Sequence, residues 1–318
     1  MATRRPWAGF ILSLVTALMW GVLPVSFVLL IGSMDTITIT WYRFLAAAVI
    51  VFALLWQRGK LPAVNKFGMK INAILILAAT ALAANFVLYL SSLTYLNPES
   101  AQVLIQLAPF ILMFGSIFFY KERLGWLEWL GVALLLGGFS LFFNDRLAQI
   151  FTSLNDYSLG IILMVLASVS WGLYGLLQKT LLKQMDSIQL TSLMYLGGVI
   201  LLTPFIDPAT LFDLNAVQFA ALLFCSLNLV LAYGAFTEAL NLWDAAKVSA
   251  VITLAPLLTI VSMMVAVKFW PSVFADSQLN GLAYLGAALV VAGSMLAALG
   301  HNLQTQGKTK KEDFFHAE

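Results

Sequence analysis

The chain has 318 residues, of which 61% are hydrophobic and 10% charged, with a net charge of +2 and a mean hydropathy of +0.93. A soluble domain carries about a quarter charged residues, so a chain this apolar cannot hide its hydrophobic surface in one core and needs lipid as part of its solvent. One cysteine, Cys225, excludes an intrachain disulfide; His301 and His316, at or beyond the last apolar run, leave the membrane part without a histidine relay, a His/Cys metal cluster or a haem ligand pair.

A spanning helix needs about 20 mostly apolar residues. Ten stretches qualify in chain order: 7–31, 36–57, 71–95, 98–120, 126–143, 159–182, 187–206, 216–241, 244–268 and 279–300. The first follows Arg4 and Arg5 and continues to Ile31, too long for the apolar part of a cleaved signal peptide and right for a span. Turn-forming residues punctuate the breaks, among them Gly32-Ser33-Met34-Asp35, Asn97-Pro98-Glu99-Ser100 and Asp207-Pro208. With a cytoplasmic N-terminus, the inner segments hold Arg4, Arg5, Arg58, Lys60, Lys66, Lys70, Lys121, Arg123, Lys179, Lys183, Lys247, Lys308, Lys310 and Lys311, and the outer ones only Arg146 and Lys268. One missed helix would invert every later loop and scramble this bias, so both termini are read as cytoplasmic, in a multi-pass protein of the cytoplasmic (inner) membrane.

The two halves echo each other. Trp20-Gly21 and Met34-Asp35 recur at a constant offset of 151 as Trp171-Gly172 and Met185-Asp186. Leu107-Ala108-Pro109 recurs as Leu254-Ala255-Pro256, Lys121 as Lys268, and Leu130-Gly131 with Gly138 as Leu285-Gly286 with Gly293. An ordered series of this kind marks a duplication. Five spans per copy is an odd number, so the second copy enters the membrane upside down, an arrangement common in transporters. The expected fold is an all-α integral membrane protein of ten transmembrane helices in two inverted five-helix repeats, residues 1–150 and 157–302, with a cytoplasmic tail over 303–318.

Placed by depth, Trp20, Asn85, Pro109, Trp171, Asn228 and Pro256 fall near mid-span, as repeat-related pairs. Gly21 and Pro24 after Trp20, and Gly172 and Gly175 after Trp171, are helix-weakening elements expected where backbone bends or opens towards a cavity; Pro109 and Pro256 free a carbonyl one turn earlier and kink their helices. Span four carries Gln102, Gln106 and Pro109 on one face, matched in span nine by Ser249, Thr253 and Pro256. Such faces point to the bundle interior, to line a site or to hydrogen-bond a neighbouring helix. Asn85, Tyr89 and Ser92 share a face of span three, and Tyr174, Gln178 and Tyr195 extend a polar and aromatic lining in the second half.

Arg43 is the fixed cation well inside a span, and its counterpart is Met194. It needs an anionic or carbonyl partner or a wet cavity: either a counter-ion for a carboxylate substrate or a cation capping helix carbonyls. Glu99 and Glu122 sit at opposite membrane borders; Glu238, towards the cytoplasmic end of span eight, is the candidate for proton coupling, with a snorkelled interface residue as the plainer reading. Gly131, Ala133, Gly137 and Gly138 in span five, and Gly286, Ala287, Gly293 and Ala297 in span ten, permit close helix approach, as scaffold or as a dimer face.

These motifs resemble the EamA branch of the drug/metabolite transporter superfamily over nearly the whole chain. The matching elements are Trp20-Gly21, Tyr42-Arg43-Phe44-Leu45-Ala46-Ala47, Ala108-Pro109 with Lys121-Glu122-Arg123-Leu124, and Leu130-Gly131 to Gly138; in the second half they are Trp171-Gly172, Ala255-Pro256 and Leu285-Gly286 to Gly293. The resemblance implies a central cavity lined by spans one to four and six to nine, a supporting pair from spans five and ten, and transport, often export, of amino acids and related metabolites. Two positions depart from the family pattern: Lys121 stands where a glycine is usual, and Phe269 where the second half has its acid.

The function read from these residues is a carrier that moves a small metabolite, best an amino acid or related zwitterion, by alternating access around a mid-membrane cavity. Its substrate-binding candidates are Trp20, Arg43, Asn85, Tyr89, Gln102, Gln106, Trp171, Tyr174, Gln178, Tyr195, Asn228 and Thr253. Aromatic groups suit the apolar part of such a substrate, amides and Arg43 its polar ends. A quaternary amine or drug-like cation over the aromatic rings is the alternative, and a channel or lipid scramblase a further one. HExxH, GxSxG and paired intramembrane aspartates are absent, so no enzyme is expected. No cofactor, metal or nucleic acid is implied; the partners are a small-molecule substrate and membrane lipids, and the chain is a monomer or weak homodimer.

Overall fold

A capping residue sets the start of most apolar runs. In the computed structural model, Asp35 accepts hydrogen bonds from the backbone N–H of Ile37 and Thr38 at 3.0 and 2.9 Å and opens a helix, and Asp186, its repeat counterpart, forms a capping box with Gln189. Asn97 and Asp244 cap a second related pair. The structure describes residues 5–62, 67–121, 124–146 and 155–315, with side chains as far as Gly300; Arg4, Lys66, Glu122, Arg123 and His316 lie outside the described residues.

The helices are α1 (Pro6–Val28), α2 (Thr36–Gln57), α3 (Met69–Ser92), α4 (Pro98–Leu104), α5 (Leu107–Tyr120), α6 (Trp126–Phe142), α7 (Asp156–Leu181), α8 (Ser187–Leu202), α9 (Ala216–Leu242), α10 (Ala245–Ile252), α11 (Ala255–Phe269) and α12 (Gly281–Phe315). Joined across short breaks, α4 with α5 and α10 with α11 make the fourth and ninth spans. Among the described residues nine spans have the length and apolarity to cross a bilayer, and α6, of 17 residues, is the tenth. Helix α12 runs on through residues 303–315, beyond the expected span.

At the prolines of the fourth and ninth spans the α-helical ladder lapses for two residues, Ile105–Gln106 and Thr253–Leu254, whose backbone stays right-handed helical. Proline supplies the cause. Pro109 and Pro256 cannot donate to the carbonyls of Ile105 and Ile252, and the ladder tightens locally, Ala108 N–H reaching Ile105 O at 2.9 Å and Leu254 N–H reaching Val251 O at 3.1 Å. Conversely, α1 and α7 run unbroken through Gly21, Pro24, Gly172 and Gly175. The space there goes to packing. A Cβ at Gly21 would meet Leu258 at 2.7 Å, and one at Gly172 would meet Ile111, the counterpart of Leu258, at 2.6 Å.

Part of the packing repeats under exchange of the halves, whereas α4 lies on α11 and α10 on α12 without a matching α5–α10 or α4–α6 contact of that extent. Helix α1 lies on α9 and α11, and α7 lies on α3 and α5; α2 meets α8, and α6 meets α12. The last pair shows the inversion directly. A Cβ at Gly131 would lie 2.6 Å from Gly293 O, and one at Gly138 would lie 2.7 Å from Gly286 O, so numbering rises along one helix as it falls along the other. Repeat-related glycines thus bring the two backbones into contact, with no hydrophobic drive needed between them. Asn144 and Asn280 close the end of this pair with reciprocal amide bonds of 3.2 and 3.0 Å.

Gly138→Val should therefore destabilise the fold by about 1–3 kcal/mol through overpacking, read as a lower thermal midpoint in detergent. Gly137→Val, whose Cβ would meet nothing within 4 Å, should leave that midpoint unchanged.

Candidate functional site

The interrupted spans bring their polar residues to one place. Gln106, at the first break, donates from Nε2 to the carbonyl of Thr253, at the second, at 3.2 Å. The two positions are repeat counterparts, so the breaks meet across the pseudo-twofold axis. One turn earlier, Gln102 Oε1 accepts from Tyr89 Oη at 2.7 Å, and Gln102 Nε2 reaches Trp20 O at 3.5 Å. This chain of bonds joins α3, α4 and α1. Thr259 Oγ1 donates to Gly21 O at 2.7 Å and ties α11 to the same part of α1.

Asn85 and Asn228 form a related pair. Asn85 Nδ2 donates to Ala167 O and Asn228 Nδ2 to Met19 O, both at 2.8 Å. Both residues are buried, so α3 is pinned to α7 as α9 is pinned to α1. Their amides are engaged with backbone, which is the inter-helix use of an amide in a bundle interior.

Arg43, 2% exposed on α2, donates from Nε to Cys225 O at 3.2 Å. Its guanidinium lies 4.8 Å from the ring centroid of Phe27 and 5.0 Å from that of Phe86. Among the described residues no carboxylate pairs with it, and Nη1 and Nη2 make no hydrogen bond. Tyr89, Tyr195 and Tyr233 lie within its electrostatic reach, and Tyr174 within that of Tyr195 and Tyr233. Met194, the counterpart of Arg43, is buried in an apolar cluster with Phe44, Leu190 and Tyr195. The charge therefore has no equivalent across the axis.

Other candidates spread out from this group. Trp20 stacks with Tyr233 at 5.3 Å and Phe236 at 6.0 Å between centroids. Trp171 and Gln178 are half-buried on α7, on either side of Tyr174. Pro256 is buried and Pro109 exposed. Glu238 is exposed and accepts from Asn241 Nδ2 at 3.3 Å. Reading the sequence missed Phe27, Phe86, Tyr233 and Phe236. Tyr233 and Phe236 follow Cys225 and Leu229 at helical spacing on α9, so extending the buried face of that helix would have found them.

A cavity of about 660 Å³ lies at one end of the bundle, not at mid-depth. Asn97 and Ser100 at the start of α4, Arg146 and Tyr157 around the α6–α7 connection, and Ser277 and Asn280 before α12 line it.

Inverted halves, two interrupted spans meeting at their breaks and an uncompensated cation among tyrosines define a membrane transporter of small metabolites. The chain belongs to the EamA-like transporter family, which it matches over residues 7–144 and 158–299. An "uncharacterized transporter" of Haemophilus influenzae is 40% identical over 94% of this chain and 97% of its own length. The "uncharacterized inner membrane transporter YhbE" of Escherichia coli is 42% identical over 93% and 92%. More distantly, a "probable amino-acid metabolite efflux pump" of Escherichia coli is 22% identical over 91% and 94%. A protein known from its crystal structure shares the fold, with a TM-score of 0.64 and 17% identity over 93% of this chain and 98% of the other.

Because Asn85 and Asn228 bond to backbone, Asn85→Leu and Asn228→Leu should each lower the unfolding free energy by about 1 kcal/mol. Denaturant titration of the purified protein without ligand checks this; unchanged stability would free both amides for ligand contact.

Proposed function

We propose that this chain is a carrier for a small zwitterion of the amino-acid kind, exporting it across the inner membrane by alternating access, with both termini cytoplasmic. The observation that carries the reading is Arg43: buried, held through Nε alone and flanked by two phenylalanine rings, with no anion beside it among the described residues. A cation left this way in a bundle is costly to the fold, and a carboxylate arriving with the substrate offsets that cost. Around it, Tyr89, Tyr195 and Tyr233 offer hydroxyls, and Trp20 with Phe236 an apolar wall. Gln102 and Gln106, now bonded to Tyr89, Trp20 and Thr253, exchange those partners for the substrate as the breaks separate. Export and the amino-acid class are supported by the distant efflux relative, and the inner membrane by the YhbE relative.

The Trp20, Tyr233 and Phe236 cluster favours a second reading, capture of a quaternary amine. Arg43 argues against it by repulsion. A thermal-shift screen of the purified protein against amino acids, quaternary amines and nucleotides, followed by counterflow with any stabilising compound, separates the two. Arg43→Met should be at least as stable as the parent without ligand, since replacing a buried charge by an apolar side chain of similar size is often neutral or stabilising. It should also lose the stabilisation that amino acids confer. Stabilisation by amines alone, or amino-acid stabilisation undiminished in Arg43→Met, would sink the carboxylate reading.

A further inference from the structure

The cavity at the end of the bundle has a buried acid beside it. Glu99, 4% exposed, stands in the first turn of α4, and both its carboxylate oxygens lie 2.9 Å from Ser277 Oγ. A hydroxyl donates one proton, so it satisfies one oxygen at a time. Ser277 belongs to the α11–α12 connection, so this contact ties the first repeat to the second. The counterpart of Glu99 in the second repeat is Ala246, and the acid exists on one side only.

Among the described residues no cation contacts Glu99, the nearest in the cavity lining being Arg146 on the Tyr157 ring. The α11–α12 connection brings Asp276, a like charge. Helix α7 brings Tyr157, whose hydroxyl is 3.1 Å from Ser100 Oγ and whose ring carries Arg146 at 4.3 Å. Asp145 is engaged by Asn280 Nδ2 at 2.6 Å. Helix α1 has no titratable side chain within its span, and α11 has only Lys268, exposed and 6.0 Å from the Phe269 ring. Among the described residues no Lys or Arg pairs with Glu99. Two neutral donors, its own backbone N–H and the Ser277 hydroxyl, serve a carboxylate that is removed from water beside a like charge, and no cation is paired with it, so this acid is a place where a proton can be taken up. The cavity is lined by Asn97 and Ser100, on either side of this acid in the chain, and by its partner Ser277.

We propose that Glu99 is a proton-binding site of this carrier, and that proton uptake loosens its clasp on Ser277 and so links proton movement to opening between the repeats. A charge-assisted hydrogen bond is roughly twice as strong as a neutral one, so protonation weakens the contact that joins α4 to the α11–α12 connection. The link to transport rests on the carrier reading above; the proton site itself needs no substrate, so the two fail separately.

The test uses the full chain in nanodiscs, without substrate. Infrared difference spectra between acid and neutral pH should contain a protonated-carboxyl band that disappears in Glu99→Gln and persists in Glu238→Gln. Ser277→Ala, which keeps the acid and removes its donor, should move the pH at which the band appears. Spin labels at Thr94→Cys and Gln278→Cys, both exposed sites on the two sides of the clasp, should report an acid-induced change in separation that Glu99→Gln abolishes. A band unaltered in Glu99→Gln, lost in Glu238→Gln or insensitive to Ser277→Ala overturns the proposal, as does a label separation that responds to acid without Glu99. Absence of counterflow in the parent protein sinks the carrier reading and leaves these spectra to stand.

Discussion

A bilayer offers no hydrogen bonds to a peptide group, and this one constraint governs the architecture. Every span is helical because only a helix satisfies its own backbone there. Interrupted backbone is tolerated only inside protein, and both interruptions are found where the halves meet. The prolines that cause them are repeat counterparts, and the amide of Gln106 compensates one break by bonding to the carbonyl at the other. The weakest stretches of helix are thus joined to each other.

The second constraint is close packing without a hydrophobic drive. Within lipid an apolar side chain gains little by touching another, so association relies on backbone approach and on polar pins. Spans five and ten use the first device, through Gly131, Gly138, Gly286 and Gly293. The pairs α3–α7 and α1–α9 use the second, through Asn85 and Asn228. The former makes an extended rigid contact, the latter a few localised bonds. Such a division gives a carrier a scaffold and a set of separable contacts around it.

Much of this was legible because the signals are one-dimensional. Span lengths follow from bilayer thickness, and Asp35 with Asp186 marks two helix starts by cap chemistry alone. The repeat was visible because its anchors each have a structural duty. What the sequence left ambiguous was how a helix-weakening residue is used. Gly21 and Gly172 read as sites of opening, yet they seat Leu258 and Ile111 of crossing helices, which only the three-dimensional neighbours reveal. The polar members of the mid-depth group were legible because an amide or a guanidinium in an apolar run stands out. Tyr233, Phe27 and Phe86 were not, since aromatic rings are common in any span, and only their proximity to Arg43 and Trp20 gives them meaning.

The exchange of Arg43 for Met194 across the axis has a thermodynamic consequence. In a carrier made of two identical inverted halves, the inward-facing and outward-facing forms would be related by a twofold rotation and equal in free energy. Each residue that differs between the halves sits in one environment in the first form and in its partner's environment in the second. A guanidinium and a thioether differ widely in solvation, so this exchange alone unbalances the two forms. On the alternating-access reading proposed above, the empty carrier accordingly rests on one side of the membrane. Its resting side is a property of the few positions where the duplication has diverged, not of the fold that the halves share.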